Sequence, residues 1–178
     1  MNLSDLFKTK QYNTDKNREH AYIDHLYNDL FVDNQKVTNL LEIGIYEGGS
    51  IKLWRDYFIN AQIDAVDIRD CSSKLDSDRI KCMVSNAYNK DFVKTLPLYD
   101  IIIDDGSHAL HDMIFLVNHY SQLLKDDGML VIEDVPDYNW FEILKQHTPE
   151  DFTYEIIDLR PIKHRFDDML FILRRKTK

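Results

Sequence analysis

Short apolar runs alternate along the chain with segments whose apolar residues recur at helical spacing. A short apolar run is typical of a buried strand, whereas apolar residues three and four positions apart are typical of a helix packed on one face. The first predicted strand ends at Gly44, and the later ones cover 62–68, 80–84, 99–104, 128–132, 152–158 and 169–173. The predicted helices are an amphipathic N-terminal helix that reaches Phe31 and then 51–58, 88–95, 110–124 and 139–147.

Strands that alternate with helices predict an α/β fold. We expect a doubly wound, mostly parallel, seven-stranded Rossmann-like sheet whose last strand is antiparallel and belongs to an antiparallel edge. The 178 residues, of which 44% are hydrophobic, predict a single domain over 1–178. Residues 1–35 are expected to form an N-terminal lid or helix segment of that domain.

Composition argues against several kinds of partner. The 22 basic and 31 acidic residues give a net charge of −9, which disfavours a nucleic-acid partner because such binding neutralises phosphates with Lys and Arg. No apolar run approaches the ~18 residues of a membrane span, and no secretory segment is evident, so we expect no membrane partner. Cys71 and Cys82 predict reduced thiols rather than a disulfide framework. The predicted protein is soluble and cytoplasmic.

A glycine-rich turn follows the first predicted strand. Glu42 and Gly44 end that strand, and Gly48, Gly49 and Ser50 open the next helix. A strand that passes through such a turn into a helix directs backbone N–H groups towards one point, where an anionic or polar ligand can bind. The spacing differs from the dinucleotide fingerprint and from the phosphate loop. These residues alone leave an ordinary strand–turn–helix corner equally open.

An acidic residue, Asp67, ends the second predicted strand about 20 residues beyond the glycine turn. In doubly wound sheets an acid at this place takes the ribose hydroxyls of an adenosine ligand. The glycine turn and Asp67 together resemble the cofactor site of class I S-adenosylmethionine-dependent methyltransferases.

Two further predicted strands end in pairs of acids. Asp104 and Asp105 end the fourth strand and are followed by His108, and Glu133 and Asp134 end the fifth. Clustered carboxylates repel one another unless a cation neutralises them. Their hard oxygen atoms suit Mg²⁺, Mn²⁺ or Ca²⁺. We therefore predict a divalent-cation site, although Asp105 and Asp134 are also suitable helix caps.

These motifs, together with Asp-Lys, His20 and Tyr22 near the N-terminus, resemble the metal-dependent macrolide-sugar O-methyltransferases of the mycinamicin type. The resemblance extends from about residue 12 to the last strand, and it implies S-adenosylmethionine and Mg²⁺ or Mn²⁺ as cofactors. It implies His108 as the general base, and Asp105 as a second catalytic residue. The implied metal ligands are Asp105, Glu133 and Asp134. The expected cofactor-binding residues of the glycine turn and second strand are Glu42, Gly44, Gly48, Ser50 and Asp67.

Four more residues are candidates for the cofactor site. Asp104 is expected to orient the site from behind. Asn86 follows the third strand, where methyltransferases commonly contact the adenine ring, and a plain turn residue is as typical there. Asp15 and Lys16 lie in a segment that closes over the cofactor in the resembling group. A helix N-terminal region with a cap is the more usual explanation of the same two residues.

The acceptor is expected near two aromatic and two basic residues. Tyr138 and Trp140 come shortly after the predicted metal ligands, and Arg160 and Arg165 precede the last strand. The aromatic rings can stack on a sugar or simply begin a packed helix. The two arginines can frame the acceptor or pair with neighbouring acids.

The predicted function is methyl transfer from S-adenosylmethionine to a hydroxyl of a sugar or glycan acceptor. One alternative is metal-dependent O-methylation of a catechol-like phenol. Another is a catalytically silent cofactor-binding partner subunit, which the intact acids disfavour. An NAD-dependent oxidoreductase is disfavoured by the glycine spacing. The near absence of insertions predicts a shallow acceptor pocket, or one completed by a second subunit, which leaves a homo-oligomer open.

Overall fold

The computed structural model describes residues 2–75 and 77–176 and contains, within them, one seven-stranded sheet. The strands are β1 (Asn39–Ile43), β2 (Gln62–Asp67), β3 (Ile80–Val84), β4 (Tyr99–Asp104), β5 (Leu124–Ile132), β6 (Phe152–Asp158) and β7 (Met169–Arg175). They lie side by side in the order β3-β2-β1-β4-β5-β7-β6. The predicted α/β architecture and the antiparallel last strand are confirmed.

The last two strands form the expected antiparallel pair at one edge of the sheet. β7 lies inside the sheet, antiparallel to both β5 and β6, and β6 forms the edge. The reason is visible in the side chains. Residues 169–173 of β7 are apolar and buried, which suits a strand covered on both faces, whereas Thr153, Tyr154 and Glu155 of β6 are exposed.

The helices are shorter than the periodicity indicates. They are α1 (Leu3–Thr9), α2 (Asn28–Leu30), α3 (Gly49–Tyr57), α4 (Lys90–Val93), α5 (Leu110–His119), α6 (Trp140–His147) and α7 (Arg160–Lys163). A π-helical turn, Ile23–Tyr27, runs directly into α2, and together they replace the longer N-terminal helix of the prediction. α1 and α7 were not predicted. Each is too short to show a helical period.

The junction between α5 and β5 explains a further difference. The predicted helix ended at 124, but Tyr120 leaves the helix and its hydroxyl donates to the carbonyl of Ala87 at 2.7 Å. β5 then begins at Leu124, earlier than predicted. The prediction missed these first residues because they include the exposed Asp126 and Asp127. Leu124 pairs with Tyr99 across a local irregularity in the β4–β5 ladder. A prediction based on apolar runs cannot detect the start of β5, because the strand is polar and irregular there.

Two hydrophobic cores cover the sheet. The first contains the N-terminal elements and α3, and its aromatic centre consists of Tyr27, Phe31, Trp54 and Phe58. The second contains α5 and α6, with Met113, Leu116, Phe141 and Phe171 among its buried residues. The N-terminal segment is therefore part of the packing of the sheet.

The fold brings the predicted polar turns together at one edge. β1, β2, β4 and β5 are parallel neighbours, so their carboxyl ends lie at the same edge of the sheet. Ligands of open α/β sheets bind beyond that edge. None of the helices within the described ranges has the length and hydrophobicity that crossing a bilayer requires.

The inner position of β7 predicts a large effect of truncating Phe171. This fully buried side chain packs between the rings of Phe141 and Tyr154, at centroid distances of 6.1 and 5.7 Å. Phe171→Ala should lower the free energy of unfolding in urea by about 3–5 kcal/mol through lost contacts and a cavity. The control Ile59→Ala, at an exposed position, should change it by less than about 0.5 kcal/mol. Equal losses in the two variants would contradict this packing.

Candidate active site

The glycine turn after β1 allows three backbone segments to approach closely. Gly44 has φ +91°, and a Cβ atom at this position would lie 2.0 Å from the carbonyl oxygen of Asp105. A Cβ atom on Gly49 would lie 2.0 Å from the carbonyl oxygen of Asn13. Glycine is therefore required for the β4 loop and the N-terminal segment to lie against this turn.

A cavity of about 830 Å³ opens between the glycine turn, the β2 turn and the N-terminal segment. Among the predicted cofactor residues, Gly44, Ser50, Asp67 and Asp15 line it. Asp105 and His108 line the same cavity, so its wall continues into the predicted catalytic residues. The structure thus brings together a predicted cofactor pocket and a predicted catalytic pair.

Asp67 is held in place by backbone donors. Its Oδ2 accepts from the N–H of Ile45 at 3.0 Å, and its Oδ1 accepts from the N–H of Arg69 at 2.9 Å. Burial alone would raise the pKa of Asp67, but these hydrogen bonds outweigh it and the pKa lies below its usual range. A fixed, charged carboxylate is therefore present on the cavity wall.

Five predicted cofactor residues do not line the cavity. Gly48, with φ +74°, is the N-cap residue of α3. The side-chain oxygen of the exposed Asn86 accepts from the N–H of Tyr88 at 2.9 Å. Asp104 lies behind the cavity, where it accepts from the Tyr88 hydroxyl at 2.8 Å, and burial raises its pKa to about 7. Glu42 and Lys16 are buried beneath the site.

Lys16 lies at the centre of an inner carboxylate pocket, which we define as Glu42, Asp105 and Glu133. Its ammonium lies 2.7 Å from Asp105 Oδ2 and 3.4 Å from Glu42 Oε1, and it also donates to Glu133. Burial alone would lower the pKa of Lys16, but the attraction of the three acids outweighs it and raises the pKa. Burial raises the pKa of Glu42 to about 7, although Lys16 opposes this effect.

A second group of ligand atoms shares Asp105 with the inner carboxylate pocket. Asp105, His108 and Asp134 form this outer group, whose ligand atoms all lie within 4.8 Å of one another. His108 Nε2 is 3.8 Å from Asp105 and 3.9 Å from Asp134. Both His108 and Asp134 have left-handed backbone conformations, with φ of 52° and 54°. Such conformations are uncommon for residues other than glycine, although His and Asp adopt them more readily than most, and they cluster at functional sites.

Of the three predicted metal ligands, Asp105 and Asp134 belong to this outer group. Glu133 lies next to Asp134 in the chain, and its two oxygens accept from Lys16 and from the Tyr27 hydroxyl. Burial, together with repulsion from Asp105, raises the pKa of Asp134. A divalent cation would relieve that repulsion.

His20 does not line the cavity but lies beside Asp134 of the outer group. Its Nδ1 contacts Asp168, which directly precedes β7, and lies 3.6 Å from Asp134. The ring also stacks on Tyr22, whose hydroxyl donates to Asp134. His20, Asp167 and Asp168 form another group whose ligand atoms lie within 4.8 Å of one another. Sequence reasoning named His20 and Tyr22 but had no signal for Asp168.

The four predicted acceptor residues lie apart from the cavity. Arg160 pairs with Asp158 at 2.7 Å, and its guanidinium lies 5.8 Å from the centre of the exposed Tyr138 ring. Arg165 pairs with Asp167 at 3.0 Å. Trp140 is half-buried and packs against the second core. The two arginines also line a shallow depression of about 470 Å³ with His164 and Phe166.

Several contacts at the site were missed from the sequence. The ammonium of Lys163 donates to the carbonyl oxygens of Asn17 and Arg18, at 3.1 and 2.7 Å, and so joins α7 to the N-terminal segment. Tyr88 lines the cavity, as do Arg18 and Glu19. These contacts join residues that are distant in the sequence, so no local spacing could have revealed them.

The sheet order, the antiparallel β7 between β5 and β6, and the cavity at the β1 turn define the class I S-adenosylmethionine-dependent methyltransferase fold. MycE methyltransferase from the mycinamycin biosynthetic pathway, solved with Mg and SAH, superposes with a TM-score of 0.79 at 22% identity over 99% of this chain and 55% of that one. A putative caffeoyl-CoA O-methyltransferase from Staphylococcus aureus gives 0.63 at 18% identity over 98% and 97%.

Sequence comparison points to sugar O-methyltransferases. Mycinamicin VI 2''-O-methyltransferase of Micromonospora griseorubida is 30% identical over 129 residues, which are 66% of this chain and 32% of that protein. A rhamnosyl tetracenomycin-C 2'-O-methyltransferase of Streptomyces olivaceus is 26% identical over 141 residues, 73% of this chain and 37% of that protein. The chain thus spans about a third of the length of these curated relatives. No protein-family model matches the sequence. The expected resemblance to macrolide-sugar O-methyltransferases is confirmed.

The close approach at Gly49 predicts that a methyl group there displaces the N-terminal segment. In the wild type, the N–H groups of Arg18, Glu19 and His20 donate to the carbonyl of Asp15. Gly49→Ala should make these amide protons exchange about tenfold faster in a hydrogen-exchange experiment, because the segment is lifted from the turn. Lys52→Ala, on the same helix, is the control and should leave them unchanged. Unaltered protection in Gly49→Ala would refute the contact.

Proposed function

We propose that this chain is the catalytic domain of an S-adenosylmethionine-dependent O-methyltransferase that methylates a hydroxyl of a sugar or sugar conjugate with the help of a divalent cation. The observation that carries the proposal is the continuity of the site. One cavity runs from the glycine turn and Asp67 to Asp105 and His108. The methyl donor and the groups that activate the acceptor would therefore lie side by side.

In this proposal the cofactor occupies the cavity of about 830 Å³. Asp67 takes the ribose hydroxyls, as acids at the end of the second strand do in doubly wound folds. Gly44 lets the amino-acid portion approach the backbone, and Ser50 offers a hydroxyl at the start of α3. Asp15 and the residues around it close the cavity from the N-terminal side, in the role of a lid.

The donor set suits a magnesium or manganese ion. Asp105 and Asp134 supply carboxylate oxygens, and repulsion between them disfavours their close approach unless a cation is present. Mg²⁺ commonly uses one or two carboxylates and retains water ligands, so two acids are sufficient. A bound divalent cation lowers the pKa of a coordinated hydroxyl group.

His108 is proposed as the general base. A sugar hydroxyl is a poor nucleophile while it keeps its proton, and an imidazole can accept that proton at neutral pH. The left-handed backbone of His108 directs its Nε2 towards Asp105 and Asp134, and the side chain lines the cavity. With S-adenosylmethionine bound, the deprotonated oxygen would form a bond to the methyl carbon as the carbon–sulfur bond breaks and S-adenosylhomocysteine leaves. Holding the reactants in line would provide much of the rate gain.

The proposed acceptor is a sugar because the named relatives methylate sugars on macrolides and tetracenomycins. MycE has been solved with mycinamycin VI, and this chain covers 55% of it at 22% identity. The Tyr138 ring, which is exposed and faces Arg160, offers a stacking surface of the kind that sugars use. Trp140 and Arg165 are engaged in core packing and in an ion pair, so Tyr138 and Arg160 are the proposed acceptor contacts.

The proposal predicts metal-dependent methyl transfer. Labelled S-adenosylmethionine is offered with a panel of rhamnosylated and other glycosylated acceptors, with and without chelator. Transfer to a sugar hydroxyl should fall by about 100-fold or more after chelation and return with Mg²⁺ or Mn²⁺. Transfer that survives complete chelation would refute the metal, and transfer only to a catechol would refute the sugar.

Substitution of His108 separates catalysis from cofactor binding. His108→Asn should lower turnover by about 100-fold or more, because it removes the base while asparagine still tolerates the left-handed backbone. The affinity for S-adenosylhomocysteine, measured by calorimetry, should stay within about twofold. The matched control is His111→Asn on the exposed side of α5, which should keep full turnover. Normal turnover in His108→Asn would place the base elsewhere.

A further inference from the structure

The short helix α7, in the loop between β6 and β7, contacts the N-terminal segment through one side chain. The ammonium of the exposed Lys163 donates to the carbonyl oxygens of Asn17 and Arg18, at 3.1 and 2.7 Å. Hydrogen bonds from a charged donor are stronger than those between neutral groups. The contact therefore joins two parts of the chain that are 146 and 145 residues apart in sequence.

The two carbonyl groups belong to a compact turn of the N-terminal segment. The carbonyl oxygen of Asp15 accepts from the backbone N–H groups of residues 18–20 and so closes the turn. The carbonyls of Asn17 and Arg18 accept from no backbone N–H among the described residues. Carbonyls left over at the end of a turn are commonly satisfied by a basic side chain, which the partial negative charge there also attracts. Lys163 is that side chain.

Side chains of the same turn form part of the wall of the cofactor cavity. Asp15, Arg18 and Glu19 line this cavity of about 830 Å³. The guanidinium of Arg18 donates to the carbonyl of Tyr12 at 2.9 Å, a bond that stays within the N-terminal segment and moves with it. The contact with Lys163 differs, because it joins the turn to the loop between β6 and β7.

Helix α7 also carries one of the proposed acceptor contacts. Arg160 and Lys163 are three positions apart, so their side chains are neighbours on this single helical turn. The guanidinium of Arg160 lies 5.8 Å from the centre of the Tyr138 ring and pairs with Asp158 at 2.7 Å. One short helix therefore contacts both the proposed acceptor surface and the wall of the cofactor cavity.

We propose that Lys163 is a positioning residue that holds the turn of residues 15–20 against the cofactor cavity and couples this turn, through α7, to the acceptor surface of Tyr138 and Arg160. Outward movement of the turn widens the cavity, and the two hydrogen bonds of the ammonium oppose that movement. An acceptor that fixes Arg160 would strengthen cofactor binding through the same contact, and the cofactor would strengthen acceptor binding equally. The inference rests on the proposed function for the roles of the cavity and of the surface.

Replacement of Lys163 tests the proposal without any turnover. Lys163→Met keeps an apolar stem and removes the donors, so S-adenosylhomocysteine, measured by calorimetry, should bind about fivefold more weakly. Lys163→Arg keeps charged donors and should bind it within about twofold of the wild type. The matched control is Lys176→Met, which removes a lysine that donates to the carbonyl of Glu150 at 2.6 Å and does not line the cavity. Its affinity should equal that of the wild type. Equal affinity in Lys163→Met and the wild type would overturn the proposal.

Hydrogen exchange separates a positioning role from a general loss of stability. In Lys163→Met without cofactor, the amide protons of residues 18–20 should exchange about fivefold faster, and those of β4 should be unchanged. In a methyl-transfer assay, KM for S-adenosylmethionine should rise about fivefold while kcat stays within about twofold, because the ammonium contacts no reacting group. Equally faster exchange in both regions, or a fall in kcat with KM unchanged, would contradict the assigned role.

A double-mutant cycle tests the coupling to the acceptor surface. Arg160→Met removes the contacts of α7 with Asp158 and Tyr138, and it should weaken binding of S-adenosylhomocysteine about threefold in the wild-type background. In the Lys163→Met background it should have no further effect, because the turn is already separated from α7. Additive losses, or no effect of Arg160→Met in either background, would overturn the coupling.

Failure of this inference differs from failure of the proposed function. A wild-type protein that does not bind S-adenosylhomocysteine would refute the proposed function and this role together. A wild type that binds it, with the same affinity as Lys163→Met, would refute the role of Lys163 alone and leave the proposed function intact.

Discussion

The ion contacts of one buried lysine with three acids are the constraint on which the site depends. Neither partner is stable alone in this position, because an unpaired charge in a protein interior loses its hydration without compensation. The pairing forces the N-terminal segment to cross the carboxyl edge of the sheet, and it holds the loops after β4 and β5 at a fixed distance from that segment. A purely apolar contact would not specify the register so closely.

This constraint explains why the N-terminal residues are structural as well as functional. Tyr27 belongs to the aromatic centre of the first core and also donates to Glu133. Trp54 of α3 also belongs to this core, and its indole N–H donates to Glu42. The hydrophobic core and the polar site thus share side chains. A change that loosens the packing of these rings would be transmitted to the acids, and the reverse holds as well.

The sequence was informative where a function is encoded locally. Gly44 and Asp67 were predicted from the position of a glycine and an acid at strand ends, and both line the cavity, because the topology of a parallel sheet brings such ends to one edge. Lys16 was interpreted as a possible cofactor contact, yet it lies beneath the site. Local spacing shows that it belongs to the N-terminal segment but not which way the side chain points. Asn86 and Gly48 illustrate the same limit, since a turn residue and a ligand residue have identical signatures.

The position of β7 has a consequence for synthesis of the chain. The ribosome makes β7 after the six other strands, yet β7 must insert between β5 and β6, and Asp168 immediately before it is the partner of His20. Until β7 emerges, β5 has an unpaired edge, and the Nδ1 of His20 lacks its contact with Asp168. The nascent polypeptide therefore acquires a complete sheet and a complete set of contacts around His20 in the same late step of translation, so partly made chains expose an apolar strand edge of the kind that chaperones recognise.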